Sequence, residues 1–348
     1  MSLGPLMVDI AGQVLTAEDR EILQHPLIGG VILFARNYAD PVQLTILTQE
    51  LHGLRSPPLL IAVDHEGGRV QRFRDQFTVL PPARICGLLY DQEPALGLHF
   101  AEQLAWLMAA ELRSVGLDLS FAPVVDLDLS TSDVIGDRAL HRDPEVVGEL
   151  ARSWVLGMRR AGMAACAKHF PGHGAVAGDS HTMLPVDARS LEDIRRRDLK
   201  PYQRLIRLDL PAVMMAHVIY KQVDPANPAS LSKHWIETEL RRQLGFKGAI
   251  FCDDLSMRGA AGAGDYVART RAALTAGCDM LPVCNNRDGV IAILDALDIA
   301  PDPASQWRLA RLHGRDGLSM QDLIVSREWR DARAALARYH ELDTFTLT

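Results

Sequence analysis

Met163-Ala164-Ala165-Cys166-Ala167-Lys168-His169 is a short apolar run that ends abruptly in a lysine and a histidine. Such continuous short runs suit strands buried on both faces, as in parallel sheets. The same pattern recurs along the chain. Leu6–Val8 precedes Asp9, Gly30–Phe34 precedes Arg36-Asn37, Leu59–Val63 precedes Asp64, and Leu119–Val125 precedes Asp126. Further on, Ala212–Ala216 precedes His217, Ala249–Cys252 precedes Asp253, and Met280–Cys284 precedes Asn285-Asn286. Counting the first-quoted run, this makes eight candidate strands, most with a polar residue at the exit.

Helical stretches fill most of the gaps, near residues 16–24, 41–54, 95–115, 144–161, 191–207, 232–244 and 265–276, with a mostly helical tail over 303–342. Asp40-Pro41 and Asp143-Pro144 each supply an N-cap followed by proline at the first helical position. Ser190 with Asp193 has the form of a capping box, with Asp in place of Glu. Eight strands alternating with helices predict an α/β fold, a (β/α)8 TIM-type barrel, with an open doubly wound sheet as the alternative. No repeat or Pro/Gly/Ser linker demands a second domain. One domain over residues 1–348 is expected, with the barrel spanning about 5–300 and a helical C-terminal tail over about 301–348.

Acidic residues outnumber basic ones by 44 to 37, a net charge of −7, so no nucleic-acid partner is expected. No apolar run reaches about 18 residues, and the N-terminus lacks a basic segment leading into an apolar one, so neither a membrane span nor a leader is expected. The cysteines (Cys86, Cys166, Cys252, Cys278 and Cys284) are odd in number and have no CxxC spacing. Four of them lie in or beside apolar runs and read as reduced core residues, which fits a cytoplasmic compartment.

A barrel brings the polar strand exits together at one end, where barrel active sites lie. Asp64, Lys168, His169, His217, Asp253 and Asn285 are then expected to be neighbours. Lys168 and His169 facing one pocket suit the hydroxyls of a polyol. His169 and His173 have the spacing of a helical metal pair, but Pro171 and Gly172 stand between them and no Glu follows His169, so no metal site is expected. In Asp179-Ser180-His181 a carboxylate can accept an imidazole N–H, fix its tautomer and raise its pKa, which suits a general acid/base. Ser180 is not read as a triad nucleophile, because no G-x-S-x-G elbow is present. Of Asp253-Asp254, one can serve as nucleophile, base or anchor while the other caps the following segment, and the pattern does not choose between them. Gly67-Gly68 allows a tight loop after Asp64. Arg72 and Arg138, on loops after strands, suit clamps on hydroxyls or an acetamido group. With no G-x-G-x-x-G opening a helix and no P-loop, no cofactor is expected.

The set Asp64-x-Glu66-Gly67-Gly68-Arg69-Val70-x-Arg72, Lys168-His169-Phe170-Pro171-Gly172-His173-Gly174, Asp179-Ser180-His181 and Asp253-Asp254-Leu255-Ser256-Met257 resembles glycoside hydrolase family three. It looks specifically like the bacterial β-N-acetylglucosaminidases of peptidoglycan recycling, over about Pro5 to Asn286. The resemblance implies a barrel without further domains and exo-hydrolysis of terminal β-N-acetylglucosamine, as in N-acetylglucosaminyl-anhydromuramyl peptides. It implies retention through a glycosyl-enzyme intermediate, with Asp253 as nucleophile and His181, partnered by Asp179, as general acid/base. Asp64, Arg72, Arg138, Lys168 and His169 fall at substrate-binding positions. The expected protein is a cytoplasmic monomer acting on a small sugar substrate. One departure is Cys252, where the group commonly has serine. A glycoside phosphorylase, a noncatalytic sugar-binding barrel and, more remotely, a metal-dependent hydrolase are the alternatives, separable by phosphate dependence, by inactive variants and by chelation.

Overall fold

A computed structural model describes residues 2–132, 134–177, 184–300 and 302–337. Among them, eight parallel strands pair side by side: β1 (Leu6–Val8), β2 (Ile28–Leu33), β3 (Leu60–Val63), β4 (Leu119–Ser120), β5 (Ala164–Phe170), β6 (Ala212–Met215), β7 (Ala249–Phe251) and β8 (Leu281–Val283). Each strand from β2 to β7 follows its predecessor in space, and β8 pairs with β1. The ring closes where Phe251 bridges Met280 and the Cys252 N–H donates to the Met280 carbonyl at 3.0 Å. This is the expected (β/α)8 barrel.

Side chains alternate along the strands, as the pleat requires. Met7, Leu60, Ala62, Ala212, Met214, Ala249 and Phe251 pack together inside the barrel. Leu6, Val8, Ile61, Val63, Val213, Met215 and Ile250 point outward into the layer beneath the helices. Both faces of each strand are therefore apolar, which is why the runs read as continuous.

Leu3, Leu309 and Leu312 belong to the interior cluster, so the first helix of the tail (Pro303–Ala310) plugs the end of the barrel opposite the strand exits. The expected boundary near residue 300 therefore cuts through the barrel core: an open apolar barrel floor needs a lid, and the tail supplies it. Gln306 Oε1 ties this helix to the Leu3 N–H at 2.8 Å. A later helix (Arg327–Ala337) docks through Trp329, whose indole N–H donates to buried Glu111 at 2.8 Å.

The expected caps form at Asp40, which accepts from the N–H groups of Val42 and Gln43, and at Asp143, which accepts from Glu145. At Ser190 the Asp193 N–H reaches the hydroxyl as expected, but the Asp193 carboxylate takes the Ser190 hydroxyl rather than its N–H. The helix expected over 191–207 is two, Leu191–Arg196 and Leu199–Ile206, separated where the buried Asp198 carboxylate turns in to meet Arg189 at 2.8 Å. Helices at Arg84–Gln92 and Arg287–Ala296 were not predicted. The run Leu119–Val125 is a regular strand only over Leu119–Ser120: the Ala122 N–H turns back onto the Ser120 carbonyl and Pro123 has no N–H to give, although the Ala122 and Pro123 carbonyls still accept from Cys166 and Lys168. No helix among the described residues is long and apolar enough to cross a membrane.

Candidate active site

The strand exits surround a cavity of about 520 Å³, lined among others by Asp64, Glu66, Arg72, Arg138, Lys168, His169, Asp253 and Asn285. Each charged wall residue owes its place to a local feature of the backbone.

After β3 the chain continues extended, so alternation sends Asp64 and Glu66 to the cavity and His65 away from it. His65 packs against Phe73 and Phe77, with ring centroids 5.8 and 6.0 Å away, and burial pulls its pKa down to about 3. Gly67 and Gly68 then turn the chain with φ of 110° and 55°. A Cβ on Gly67 would stand 2.5 Å from the Pro81 carbonyl oxygen, so glycine is required there. The turn returns Arg72 to the rim, its guanidinium 3.8 Å from Asp64.

On β5 the alternation is broken deliberately. Lys168 pairs with Met214 but Phe170 pairs with Met215, leaving His169 as the extra residue of a bulge. Lys168 and His169, adjacent in sequence, can therefore both line the cavity. Phe170 faces outward onto Tyr202 at 4.9 Å between ring centroids.

The buried Lys168 ammonium lies 2.8 Å from Asp64 Oδ1 and 2.6 Å from Glu66 Oε1. Arg138 grips Glu66 with two parallel bonds, Nε to Oε2 at 2.8 Å and Nη2 to Oε1 at 2.9 Å. Burial pushes the Glu66 carboxyl up, but the charges of Arg138 and Lys168 outweigh it and leave the group well below the usual carboxylate range. Burial likewise pushes Lys168 down, and Asp64 and Glu66 more than restore it, so the ammonium is held above its ordinary value.

His169 is oriented from behind. Its Nδ1 is 2.7 Å from Asp126 Oδ2, and Asp126 Oδ1 accepts the His173 N–H at 2.6 Å. Burial raises the Asp126 carboxyl, but the His169 charge prevails and its pKa ends below normal. An ionised carboxylate only accepts, so Nδ1 carries a proton toward Asp126 and the Nε2 edge of the ring points away from it.

Asp253 and Asp254 follow β7 and part company there. Asp254 Oδ1 accepts from the N–H groups of Ser256 at 2.9 Å and Cys284 at 3.0 Å, which makes it the capping member of the pair. Burial raises its pKa to about 6. Asp253 accepts the Asp254 N–H at 2.9 Å; both carboxylates line the cavity, and the backbone amides on Asp254 are what distinguish the two. Cys252 is fully buried in the outer core layer, so the cysteine faces packing rather than the site.

Of the residues expected to converge, His217 is the exception. It is completely buried, with Nδ1 2.6 Å from Ser230 Oγ and Nε2 2.9 Å from the Asp254 carbonyl oxygen, so it braces the loop after β7. Asp179 and His181 lie outside the described residues. Sequence reasoning did not assign Glu66 or Asp126 to the site. The signals were present: Glu66 stands two residues after Asp64, and Asp126 ends an apolar run.

Residues 6–312 match the family described as glycosyl hydrolase family 3 N terminal domain. A protein named beta-hexosaminidase from Thioalkalivibrio sulfidiphilus is 55% identical over 336 residues, covering 97% of this chain and 96% of its own. Another of that name, from Methylococcus capsulatus, is 55% identical over 327 residues, covering 94% and 96%. The crystal structure of NagZ from Neisseria gonorrhoeae in complex with N-trifluoroacetyl-D-glucosamine superposes with a TM-score of 0.93 at 44% identity, over 97% of this chain and 98% of that one. A family match over residues 6–312, with relatives sharing 55% of their residues along almost the whole length, makes this chain a member of glycosyl hydrolase family 3.

Proposed function

We propose that this enzyme, a β-N-acetylhexosaminidase, removes terminal non-reducing β-N-acetylglucosamine from N-acetylglucosaminyl-anhydromuramyl peptides with retention of configuration. The observation that carries the reading is the placement of Asp253 in the wall of the same cavity as Asp64, Arg72, Arg138, Lys168 and His169. A nucleophilic carboxylate thus shares a pocket with donors and acceptors suited to sugar hydroxyls. The sugar bound in the NagZ complex, an N-acylated glucosamine, fits that chemistry.

In this mechanism the Asp253 carboxylate attacks the anomeric carbon and the glycosidic C–O bond breaks. Protonated His181, partnered by Asp179, gives its proton to the leaving oxygen. Neutral His181 then takes a proton from water, whose oxygen attacks the anomeric carbon, and the ester bond to Asp253 breaks. Most retaining glycosidases use a second carboxylic acid for the proton. An imidazole in that role adds no negative charge beside the Asp253 ester. Asp64, Arg72, Arg138, Lys168 and His169 hold the sugar. The chain acts as a single barrel unit, a monomer in the cytoplasm, in cell-wall recycling.

Trapping the glycosyl-enzyme with a slow substrate and mapping the adduct by mass spectrometry tests the assignment. Label on Asp253 supports it, and label on Asp254, or on no residue, overturns it.

A further inference from the structure

The Glu66 side chain is 6% exposed, yet it carries a full charge in the cavity wall. A carboxylate this enclosed is costly unless paired and hydrogen-bonded. Glu66 is paired twice, with cations from two other segments of the barrel mouth. Lys168 comes from the end of β5 and reaches Oε1 at 2.6 Å. Arg138 comes from the segment between β4 and β5 and holds both oxygens, at 2.8 and 2.9 Å. Oε1 is therefore common to both cations. Arg138 Nη1 also donates to the Val134 carbonyl at 3.0 Å, so Glu66 joins Lys168 to an arginine that is itself tied to its own segment.

We propose that Glu66 is a positioning residue for sugar recognition: it makes and breaks no bond, but fixes Lys168 and Arg138 relative to each other so that both cations meet the sugar's oxygens already in place. The proposal rests on the reading of Lys168 and Arg138 as sugar-binding residues.

The electrostatics give the role a signature that packing alone lacks. Lys168 is faced by Asp64, Glu66 and Arg138, with Cys166 on its own strand. Arg72 stands beyond Asp64, and Asp126 acts on the same arginine, Arg138. Asp64 and Glu66 hold the ammonium charged against burial and against Arg138. Without the Glu66 charge, Asp64 is left as the main charge opposing both. Lys168 then loses its proton at lower pH, whereas Arg138 stays charged throughout and loses only its geometry.

The test compares wild type, Glu66→Gln, Glu66→Asp and Lys168→Met. Turnover of a chromogenic β-N-acetylglucosaminide is followed from about pH 6 to about pH 10, a window that reaches the lysine range. Calorimetric binding of N-acetylglucosamine and a thermal melt accompany each variant. Glu66→Gln is expected to raise KM about tenfold or more while lowering kcat less. The alkaline fall in N-acetylglucosamine affinity, which does not depend on the catalytic proton of His181 and is read by calorimetry across the same window, is expected to move down by about one pH unit or more in that variant. Glu66→Asp, which keeps the charge on a shorter stem, is expected to restore the pH profile better than it restores KM. That split is readable even where Glu66→Gln does not fold. A folded Glu66→Gln with wild-type KM and an unmoved alkaline limb overturns the positioning role. If instead Lys168→Met keeps wild-type KM and N-acetylglucosamine affinity, the underlying reading of Lys168 fails.

Discussion

Nδ1 of His169 stands 2.7 Å from Oδ2 of Asp126, and the other oxygen of that carboxylate accepts the His173 N–H at 2.6 Å. One buried group thus orients a cavity imidazole and anchors the start of the segment that leads on to Asp179 and His181. Replacing Asp126 with Asn presents an NH2 or a weaker acceptor to three fixed donors, the His169 ring and the backbone N–H groups of His169 and His173. The expected result is a fall in kcat/KM of about 10- to 100-fold, by analogy with lost partners behind metal-bound histidines. The sign with pH is also fixed. The Asp126 pKa is depressed in the fold, so its stabilisation is present above the unfolded value of about 4 and is lost as pH falls through the folded value. Thermal melts should show wild type losing its advantage over Asp126→Asn in that acidic range.

Asp253 and Asp254 should separate cleanly on substitution. Asp253→Ala is expected to lower kcat by about 10⁴-fold or more, on the scale of a lost nucleophile, with little change in the melt. Asp254→Asn keeps an oxygen for the Ser256 and Cys284 N–H groups and should retain far more activity. The Asp254 pKa is raised to about 6, so its contribution is fully present below the unfolded value and is lost as pH rises through the folded one. Between about pH 4 and about pH 6, wild type should therefore lose stability relative to Asp254→Asn, by up to about 2–3 kcal/mol. Parallel denaturation curves in which the two proteins respond identically to pH would contradict this.

Gly174 sits where a Cβ would lie 1.9 Å from the Leu127 carbonyl oxygen, a contact only a backbone shift can relieve. Gly174→Ala is expected to destabilise by about 1–3 kcal/mol, as overpacking does. It should also displace the start of the segment that leads to the proposed acid/base. The kinetic consequence is a larger loss in kcat than in affinity for N-acetylglucosamine, read by steady-state kinetics beside calorimetry.

Cys252 precedes the proposed nucleophile but is fully buried in the outer core, with its N–H on the Met280 carbonyl. Cys252→Ser should leave the pH–rate profile unchanged. Stability should fall by about 1–3 kcal/mol, since a hydroxyl enters an apolar layer. A shifted acidic limb would show instead that this side chain tunes Asp253.

Much of the architecture was legible because a barrel strand is apolar on both faces and polar only at its exit. That pattern survives in a one-dimensional string, as Leu59–Val63 before Asp64 shows. The tail was less legible. Nothing local in Leu309 or Leu312 says that they close the barrel floor beside Leu3, three hundred residues away. The break in the helix over 191–207 was hidden for the same reason, since it follows from Asp198 meeting Arg189.

By itself, the sequence determined the order of strands and helices, the caps at Asp40 and Asp143, and the set of polar residues available at the barrel mouth. These depend on periodicity and on contacts within a few residues. The tertiary structure alone decided which of those residues face one another. A bulge after Lys168 turns His169 to the same side, the backbone amides of Ser256 and Cys284 claim Asp254, and Glu66 is enclosed between two cations from separate segments. Side-chain direction at a strand end depends on register, and ion pairing depends on distances across the barrel. Neither is written in the spacing of the chain.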